Sequence, residues 1–373
     1  MSEKKVCVAT WYSSANCGTC LQAKALYDAV YKKVDAVMLS YKRNYSLLDS
    51  NDRSIVATKI FIKAKSKFIR REDKLIIKPE RQARVEAFVK NSFKLVHLPT
   101  GSERKSFVEG IDCFIVGSDQ LWNPYWFNPT YYLDFVEERG KKKSYSTSIG
   151  VSEVPPKMMS KMRRLLNEFS EITVRESGAQ ELISSLLRRD DIDVVADPTM
   201  LLTAEDWRKI MENNSEINYS KEDYILCYFV GGIKKHQEII RKINEETGKK
   251  VVVIPMQPLD YSFENCEFVE AGPYEFLQLI SYAAHVCTDS FHAIAISIIF
   301  HRCLTVLERQ ITTYGKSQGN RIIEILKRYG MEKNQYSISK EIVNKVDYEK
   351  VDKILNDERI RSLSKLYSML GVN

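Results

Sequence analysis

Short apolar runs alternate along this chain with longer segments whose apolar residues recur at helical spacing. The first strand is predicted at 6–11, and it leads through the small-residue turn YSSANCGT into a helix at 20–33. A second apolar run, at 34–39, follows that helix. Because strands that alternate with helices form parallel sheets, the pattern predicts an α/β protein with a doubly wound sheet.

The alternation continues to the end of the chain, with one polar break at 203–222. Further strands are predicted at 112–117, 143–149, 172–174, 193–196, 224–230, 251–254, 285–288 and 303–306. Further helices are predicted at 156–170, 177–187, 236–247, 291–300 and 320–329, with a pair of terminal helices at 346–370. The pattern therefore predicts two Rossmann-like domains, at 1–205 and 222–335, and C-terminal helices at 340–373.

One stretch, 44–100, does not follow the alternation. It is basic and helical in propensity, and we expect an insertion packed beside the first sheet. The net charge of the chain is +7, and the excess is concentrated at 59–84. A solvated basic face is one interpretation, and a contact with anionic lipid headgroups or a lipid-linked diphosphate is the other. Nucleic acid is not predicted as a partner, since no nucleic-acid-binding motif accompanies the charge.

The composition agrees with the prediction of two domains, and the apolar pattern also indicates where in the cell the protein lies. The chain has 373 residues, 44% of them hydrophobic and 28% charged, which suits a two-domain globular protein. No apolar leader opens the sequence, and no apolar run is long enough to span a membrane. We therefore expect a cytoplasmic protein, with peripheral contact at the inner face of the membrane if the basic stretch binds lipid.

The eight cysteines suggest neither a metal centre nor a disulfide framework. Most of them lie in apolar, strand-like runs, where cysteine behaves as a small hydrophobe. Cys17 and Cys20 form one CxxC, but no second pair and no matching histidine pair accompany it. No cluster of residues has the spacing of metal ligands, so no metal is predicted.

The segment 282–306 is the most informative part of the chain. A buried strand at 285–288 is followed by Asp289 and Ser290, both good helix caps, and by an apolar helix. The turn lies at the carboxyl end of a parallel strand, where such sheets bind ligands, and a helix N-terminus there suits an anion. His292 stands in the first turn of this helix. We therefore expect an anionic substrate close to His292.

Arg175 occupies a comparable position, directly after the strand at 172–174. A guanidinium at the carboxyl end of a strand can hold a carboxylate or a phosphate through two hydrogen bonds. The alternative is a structural salt bridge with Glu176 or Glu171.

Four motifs, VGSDQLW, TVRE, DPTMLL and TDSFHA, occur in this order, and together they resemble the polysaccharide pyruvyl transferase family over roughly residues 6–330. Enzymes of that family move the enolpyruvyl group of phosphoenolpyruvate onto a sugar, usually as a cyclic ketal. The resemblance implies two GT-B-like halves, with the acceptor on the first, the donor on the second, and a C-terminal helix returning to the first.

The resemblance also implies the substrates. Phosphoenolpyruvate is the donor substrate, and no separate cofactor is expected. The acceptor would be a sugar of a capsule or exopolysaccharide precursor, with galactose as a 4,6-ketal the first expectation and N-acetylmannosamine the alternative. Whether that acceptor is linked to undecaprenyl diphosphate stays open.

On the donor side, the resemblance points to Arg175, Ser290, Phe291 and His292. His292 would bind the phosphate or protonate it as it leaves. Many family members have an arginine where this chain has Ser290. The missing charge is therefore expected from elsewhere, with Lys316 the first choice and Arg321 the second.

On the acceptor side, Asn16 and Gly18 match a family loop that often reads NYGA, although its aromatic residue is lost here. Asp119, in GSDQLW, could protonate the methylene carbon of the donor or act as base on a sugar hydroxyl, and the alternative is a turn-forming role. Trp122 could cover a sugar face or pack in the core.

Two rival functions remain at this level. A nucleotide-sugar glycosyltransferase of the same two-domain shape would use the same strand ends to hold a diphosphate. A non-catalytic module is the other, since similar domains accompany flavin-type oxidoreductases.

Overall fold

The computed structural model describes residues 4–40, 77–212, 219, 221, 223–309, 319–342 and 345–372. Its first sheet has the order β3-β2-β1-β4-β5-β6-β7, and its second has the order β10-β9-β8-β11-β12. All of the paired strands run parallel. The prediction of an α/β protein with two parallel sheets is confirmed.

The strands of the first sheet are β1 (Lys5–Ala9), β2 (Asp35–Ser40), β3 (Leu95–His97), β4 (Cys113–Val116), β5 (Lys142–Thr147), β6 (Glu171–Val174) and β7 (Asp193–Val194). Those of the second are β8 (Tyr224–Tyr228), β9 (Lys250–Ile254), β10 (Cys266–Phe268), β11 (His285–Thr288) and β12 (Cys303–Val306). The described helices are α1 (Cys17–Tyr31), α2 (Pro79–Ser92), α3 (Glu103–Glu109), α4 (Pro156–Leu166), α5 (Ser177–Leu187), α6 (Ala204–Met211), α7 (Gln237–Thr247), α8 (Pro273–Tyr282), α9 (Phe291–Ile299), α10 (Gly319–Arg328), α11 (Tyr336–Ser339) and α12 (Tyr348–Leu370).

Alternating side chains send the two faces of each sheet into different cores. On β1, Val6 and Val8 join a core that also contains Leu226 from β8, whereas Cys7 packs on the opposite face. The largest core is therefore shared between the two sheets, and each sheet has a second core on its outer face. Burial on both faces explains why the strands read as continuous apolar runs.

Two strands were missed because their sequences carry weak signals. β3, Leu95–His97, is a short, partly exposed edge strand inside the stretch that we expected to be a helical insertion. β10, Cys266–Phe268, is the short edge strand of the other sheet. Edge strands lack the apolar continuity of buried ones, so the pattern does not reveal them. The insertion is thus part of the sheet at its end, and residues 41–76 lie outside the described residues.

The end of the chain forms a single long helix, Tyr348–Leu370, and the expected pair of helices is wrong. This helix returns to the first sheet, as predicted. Ser362 accepts a hydrogen bond from the backbone N–H of Ala196 at 2.9 Å. At its C-terminus, Lys4 and Lys143 donate to the carbonyls of Leu370 and Met369. Cations suit this end of a helix, where carbonyl groups lack partners.

Candidate active site

The carboxyl ends of β4, β6 and β7 face the N-terminus of α9 across the gap between the sheets. Arg175 directly follows β6, and its guanidinium is 2% exposed. Its nitrogens lie 2.7 Å from Asp197, 3.5 Å from Glu176 and 3.7 Å from Asp119. Burial alone would lower the pKa of Arg175, but these carboxylates outweigh it and raise that pKa. The guanidinium also stacks over the Phe291 ring at 4.3 Å.

Asp197 contacts both Arg175 and His292, and the sequence analysis did not select it. Its carboxylate accepts hydrogen bonds from Arg175 at 2.7 Å, from the Ser118 hydroxyl at 3.1 Å and from the Thr199 hydroxyl at 2.7 Å. Nε2 of His292 lies 3.6 Å away. Burial would raise the pKa of Asp197, yet the charges of His292 and Arg175 hold it far below the usual range. Asp197 is therefore an ionised carboxylate between a guanidinium and an imidazole.

The signal for Asp197 was present in the sequence. The residue follows the strand predicted at 193–196 and precedes Pro198, which starts a short helical turn at Pro198–Leu201. That is the same position, at the carboxyl end of a parallel strand, that selected Arg175.

His292 is placed by the local chemistry of its helix. Ser290 caps α9, and its side chain accepts from the N–H of Ala293 at 3.5 Å. His292 is 4% exposed, and within the described residues its Nε2 makes no hydrogen bond. A Cβ on Gly18 would lie 2.4 Å from the Cβ of His292, so only glycine allows this approach. Gly18 and His292 therefore touch across the two halves of the molecule.

Arg321, near the start of α10, is a second buried guanidinium at this site. With the amide oxygen of Gln120 turned toward it, Gln120 accepts from Arg321 at 3.1 and 2.9 Å. Arg321 forms no ion pair with a carboxylate in the part of the chain that the structure describes. Burial, followed by repulsion from Arg175, lowers the pKa of Arg321 to about 10. This is a buried cation with a neutral partner, and an anion would stabilise it.

Arg175 and Arg321 line one pocket between the two halves. Its other prominent lining residues are Phe291, Glu324, Arg328 and Tyr329. Arg328 is engaged elsewhere, since it binds Glu358 at 2.7 Å and the carbonyl of Arg175 at 3.2 Å. Glu176 and Asp197 also line the pocket, so its arginines are accompanied by acids, and Phe291 supplies an aromatic wall.

Asp119 is held in a fixed, unusual backbone conformation. Its φ is +68°, in the left-handed region that residues other than glycine rarely occupy. The Thr19 hydroxyl donates to its carboxylate at 3.1 Å, and the N–H of Gln120 does so at 2.9 Å. Burial would raise the pKa of Asp119, but His292, Arg175 and Arg321 outweigh it and lower that pKa. Asp119 is therefore a carboxylate, and as such it can accept a proton.

The remaining acceptor-side residues have structural contacts of their own. Asn16 caps α1 by accepting from the N–H of Gly18, and it also accepts from the Tyr228 hydroxyl at 3.0 Å across the two halves. Trp122 is fully buried, and its indole N–H donates to the carbonyl of Tyr131 at 2.9 Å. With no exposed surface, Trp122 cannot cover a sugar face, and the core alternative is the correct one.

Lys316 lies outside the described residues. Among the other histidines, His285 is buried against the Thr305 hydroxyl at 2.8 Å, and burial lowers its pKa to about 4. His301 pairs with Asp352 on the surface. Neither lines the pocket.

At the carboxyl edge of the second sheet, backbone N–H groups of the turns donate to acidic side chains of this chain. Asp289 accepts from the N–H groups of Val230 and Gly231 at 2.7 and 2.8 Å. Asp260 accepts from the N–H groups of Ile233, Met256 and Gln257, each at 2.8 Å. These five backbone donors, which could otherwise cradle a phosphate, therefore already bind carboxylates.

Cys17 and Cys20 both have buried side chains, and burial raises the pKa of Cys20 to about 12 and that of Cys17 still higher. In the described ranges, no group of three histidine, cysteine or acidic side chains is arranged to hold a metal. No helix in those ranges is long and apolar enough to cross a membrane.

The model of one protein family, polysaccharide pyruvyl transferase, matches residues 16–310, most of the chain. No curated protein matches this chain. Among solved structures, UDP-GlcNAc 2-epimerase from Neisseria meningitidis bound to UDP-GlcNAc is 14% identical, with a TM-score of 0.44, and the match covers 96% of this chain and 100% of that one. The glycosyltransferase SnogD from Streptomyces nogalater is 10% identical, with a TM-score of 0.45, and the match covers 99% and 100%. Likeness at this level carries no argument about activity.

Proposed function

We propose a reaction for this chain from the premise that it belongs to the polysaccharide pyruvyl transferase family. The donor is phosphoenolpyruvate, the acceptor is a sugar with two suitably placed hydroxyls, and the products are a cyclic pyruvate ketal and inorganic phosphate. The observation that carries this proposal is the buried Arg175–Arg321 pocket beside the unpaired Nε2 of His292. A small ligand with a carboxylate and a phosphate matches two guanidiniums and an imidazole.

The reaction balances without a redox partner or a metal. The methylene carbon gains a proton, one sugar hydroxyl adds to the adjacent carbon, the bond from that carbon to the phosphate oxygen breaks, and the second hydroxyl closes the ketal. Of the two hydroxyl protons, one ends on the new methyl group and the other on phosphate. The chain must therefore hold the donor's charges and move protons.

The two guanidiniums differ in how much they would gain from the donor's negative charges. Arg175 is already neutralised by Asp197, Glu176 and Asp119, whereas Arg321 has a neutral partner. An incoming anion therefore gains most at Arg321, which takes the place of the arginine that Ser290 replaces. Ser290 itself caps the helix that carries His292.

Proton transfer is assigned to His292 and Asp119. Nε2 of His292 has no hydrogen-bond partner in the described residues, and the Asp197 carboxylate 3.6 Å away would balance a protonated ring. His292 therefore protonates the departing phosphate. Asp119 is held ionised by its cationic neighbours, so it acts as base on the sugar hydroxyl, and the alternative role as acid is the weaker one.

The turns of the second sheet favour this donor over a nucleotide sugar. A diphosphate at that edge would have to displace the Asp289 and Asp260 carboxylates from the backbone N–H groups they bind. Repulsion between phosphate and those carboxylates adds to the cost. The pocket between the halves also has acids in its lining, but its Arg321 forms no ion pair with a carboxylate in the described residues.

The acceptor is proposed to be galactose of a polysaccharide precursor, modified at O4 and O6. Linkage of this acceptor to a lipid diphosphate is an extension of the proposal, and it rests on the basic stretch 59–84. Within the described part of that stretch, Lys78 and Arg81 pair with Glu270. A lipid contact would therefore rely on the cations of residues 59–76.

The experiment measures melting temperature with phosphoenolpyruvate and, separately, with UDP-galactose. A ligand that binds only the folded chain stabilises it, so we expect a rise with phosphoenolpyruvate alone. Phosphate release in the presence of a galactoside then measures transfer, with a reaction lacking the galactoside as the control. Stabilisation by UDP-galactose, or UDP release, without any effect of phosphoenolpyruvate would favour the glycosyltransferase instead.

A further inference from the structure

Two tryptophans on the first half of the molecule form an exposed aromatic pair. Trp11 follows β1, and Trp126 ends the short helical turn Pro124–Trp126. Their ring centroids are 5.9 Å apart and the rings are inclined by 54°. Trp126 is 41% exposed and Trp11 is partly exposed. The other two tryptophans of the chain, Trp122 and Trp207, are fully buried, so this pair is an exception within the same protein.

The pair is held rigidly in place. Tyr131 packs edge-on against Trp11, with ring centroids 6.0 Å apart. The carbonyl of Tyr131 accepts the indole N–H of the buried Trp122 at 2.9 Å. Asn123 caps the turn that carries Trp126 by accepting from the N–H of Tyr125 at 3.0 Å. The buried Trp122 therefore anchors the loop that presents Trp126 at the surface.

A hydrogen-bonded link joins the pair to the proposed base. The Gln22 amide donates to the carbonyl of Trp11 and to the carbonyl of Thr19, each at 2.9 Å. The Gln22 carbonyl oxygen accepts from the N–H of Ser118 at 3.1 Å. Thr19 in turn donates to the Asp119 carboxylate at 3.1 Å. Trp11 and Asp119 are thus fixed relative to one another through a single buried glutamine.

We propose that Trp11 and Trp126 form a platform for a pyranose ring of the acceptor saccharide. This inference rests on the proposed function, because it takes the acceptor to be a sugar. Pyranose rings present faces of C–H groups that pack on aromatic rings, while their hydroxyls stay free for polar contacts. The platform lies at the carboxyl edge of the first sheet, on the same side as Asp119.

The test uses tryptophan fluorescence. Trp122 and Trp207 are buried, so among the tryptophans an added glycoside can contact only Trp11 and Trp126. The probes are methyl glycosides of galactose and of N-acetylmannosamine, titrated into the whole chain. We expect at least one glycoside to quench the fluorescence. Trp11→Ala should weaken that binding about tenfold. Trp11→Phe, which keeps a ring, should lie between Trp11→Ala and the wild type.

Transfer kinetics supply the second readout. Trp126→Ala should raise the KM for the galactoside about tenfold and leave the melting-temperature shift with phosphoenolpyruvate unchanged. The matched control is Tyr31→Ala, since Tyr31 is 58% exposed on α1 and stacks on Tyr27 away from the pair. Tyr31→Ala should change neither quantity.

The outcomes separate the two proposals. If the wild-type chain transfers pyruvate but Trp126→Ala keeps a normal KM for the galactoside, the platform is overturned and the proposed function stands. If phosphoenolpyruvate has no effect yet a glycoside binds at the pair, the proposed function falls and the saccharide site stands. If no glycoside of the panel binds the wild-type chain, the platform is overturned.

Discussion

The carboxyl edges of the two sheets carry acids in similar positions but use them differently. On the first sheet, Asp119 and Asp197 bind side chains, among them a buried arginine and a histidine from the other half. On the second sheet, Asp289 binds backbone N–H groups of the turn after β8 and lies 3.6 Å from Arg309. Asp260 binds backbone N–H groups of that turn and of its own. Asp119 and Asp197 also accept from one backbone N–H each, but they face a buried arginine and a histidine as well, and an acid in those surroundings can contribute to chemistry.

This difference shows why the position of an acid at the end of a strand is an incomplete guide to its role. Both edges place carboxylates where parallel sheets bind ligands. The hydrogen-bond partners separate them, and those partners come from segments distant in sequence. Substitutions on the two edges should therefore separate effects on turnover from effects on stability.

The largest effect is expected at the point where the two edges meet. His292→Ala should lower turnover roughly 10²–10⁴-fold, because it removes the proposed acid without disturbing the cap at Ser290. His292→Asn should keep more donor affinity, since an amide can still donate to phosphate. His301→Ala is the control, because His301 lies on the surface paired with Asp352. Near-normal turnover in His292→Ala together with a lower melting temperature would make His292 a packing residue.

On the second edge the effect should fall on stability. Asp289→Ala removes the acceptor of the part-buried N–H groups of Val230 and Gly231, at about 1 kcal/mol for each. Denaturant unfolding should report this loss. Turnover per folded molecule should fall far less than in His292→Ala. A fall in turnover as large as that of His292→Ala, at unchanged stability, would remove the distinction between the two edges.

Substitution of Arg321 tests whether this cation, which forms no ion pair with a carboxylate in the described residues, binds the donor or stabilises the fold. Arg321→Met should raise the KM for phosphoenolpyruvate about tenfold or more, because it removes a buried charge-assisted contact. The melting temperature without ligand should stay the same or rise, since repulsion from Arg175 disappears. Lys327→Met, at an exposed position on the same helix, is the control. A lower melting temperature with a normal KM would mean that Arg321 serves the fold.

Low pH should reduce the free energy of unfolding through Asp197, at the carboxyl edge of the first sheet. A carboxylate whose folded-state pKa is depressed stabilises the fold above its ordinary pKa of 3.8, and this contribution is lost as pH falls through the lower folded-state pKa. The wild-type unfolding free energy should therefore fall below pH 4, by roughly 1 kcal/mol per pH unit for this group. Asp197→Asn should flatten that slope, and Asp223→Asn, at an exposed position, should leave it unchanged. Equal slopes in the wild type and Asp197→Asn would place the acid sensitivity elsewhere.

The smallest effect is expected from the two cysteines at the contact between the halves. Cys17→Ala with Cys20→Ala should leave turnover within about twofold, because both side chains are buried and burial raises their thiol pKa values. Iodoacetamide should modify the folded wild type slowly. Loss of turnover without loss of fold would show that the CxxC has a chemical role.

The central fold was predictable because buried strands and apolar helices carry strong patterns. Ser177–Leu187, His285–Thr288 and Cys303–Val306 were predicted with the bounds that the structure has. The short edge strands Leu95–His97 and Cys266–Phe268 were missed, since half-exposed strands have no continuous apolar run.

At the site, positional reasoning found Arg175 and His292 but misjudged their surroundings. Trp122 looked like a sugar-facing aromatic from its position after a strand, and only tertiary packing shows that Trp126 is the exposed one. Asp197 was passed over because its importance comes from Arg175 and His292, which are distant from it in sequence. Contacts of this kind depend on how the two halves meet, and no local pattern encodes them.

The contact between Gly18 and His292 has a consequence for the timing of turnover. His292 meets Gly18 and Asp197 only while the two halves are together, and in that arrangement its side chain is almost completely enclosed. We therefore expect substrates to enter while the halves are apart and products to leave when they part again. Diffusive separation of two domains is slowed by a viscous solvent, whereas the transfer of a proton within a closed pocket is not. If the motion of the halves limits the rate, turnover should fall as solvent viscosity rises, and Gly18 lies on the surface along which the halves would separate.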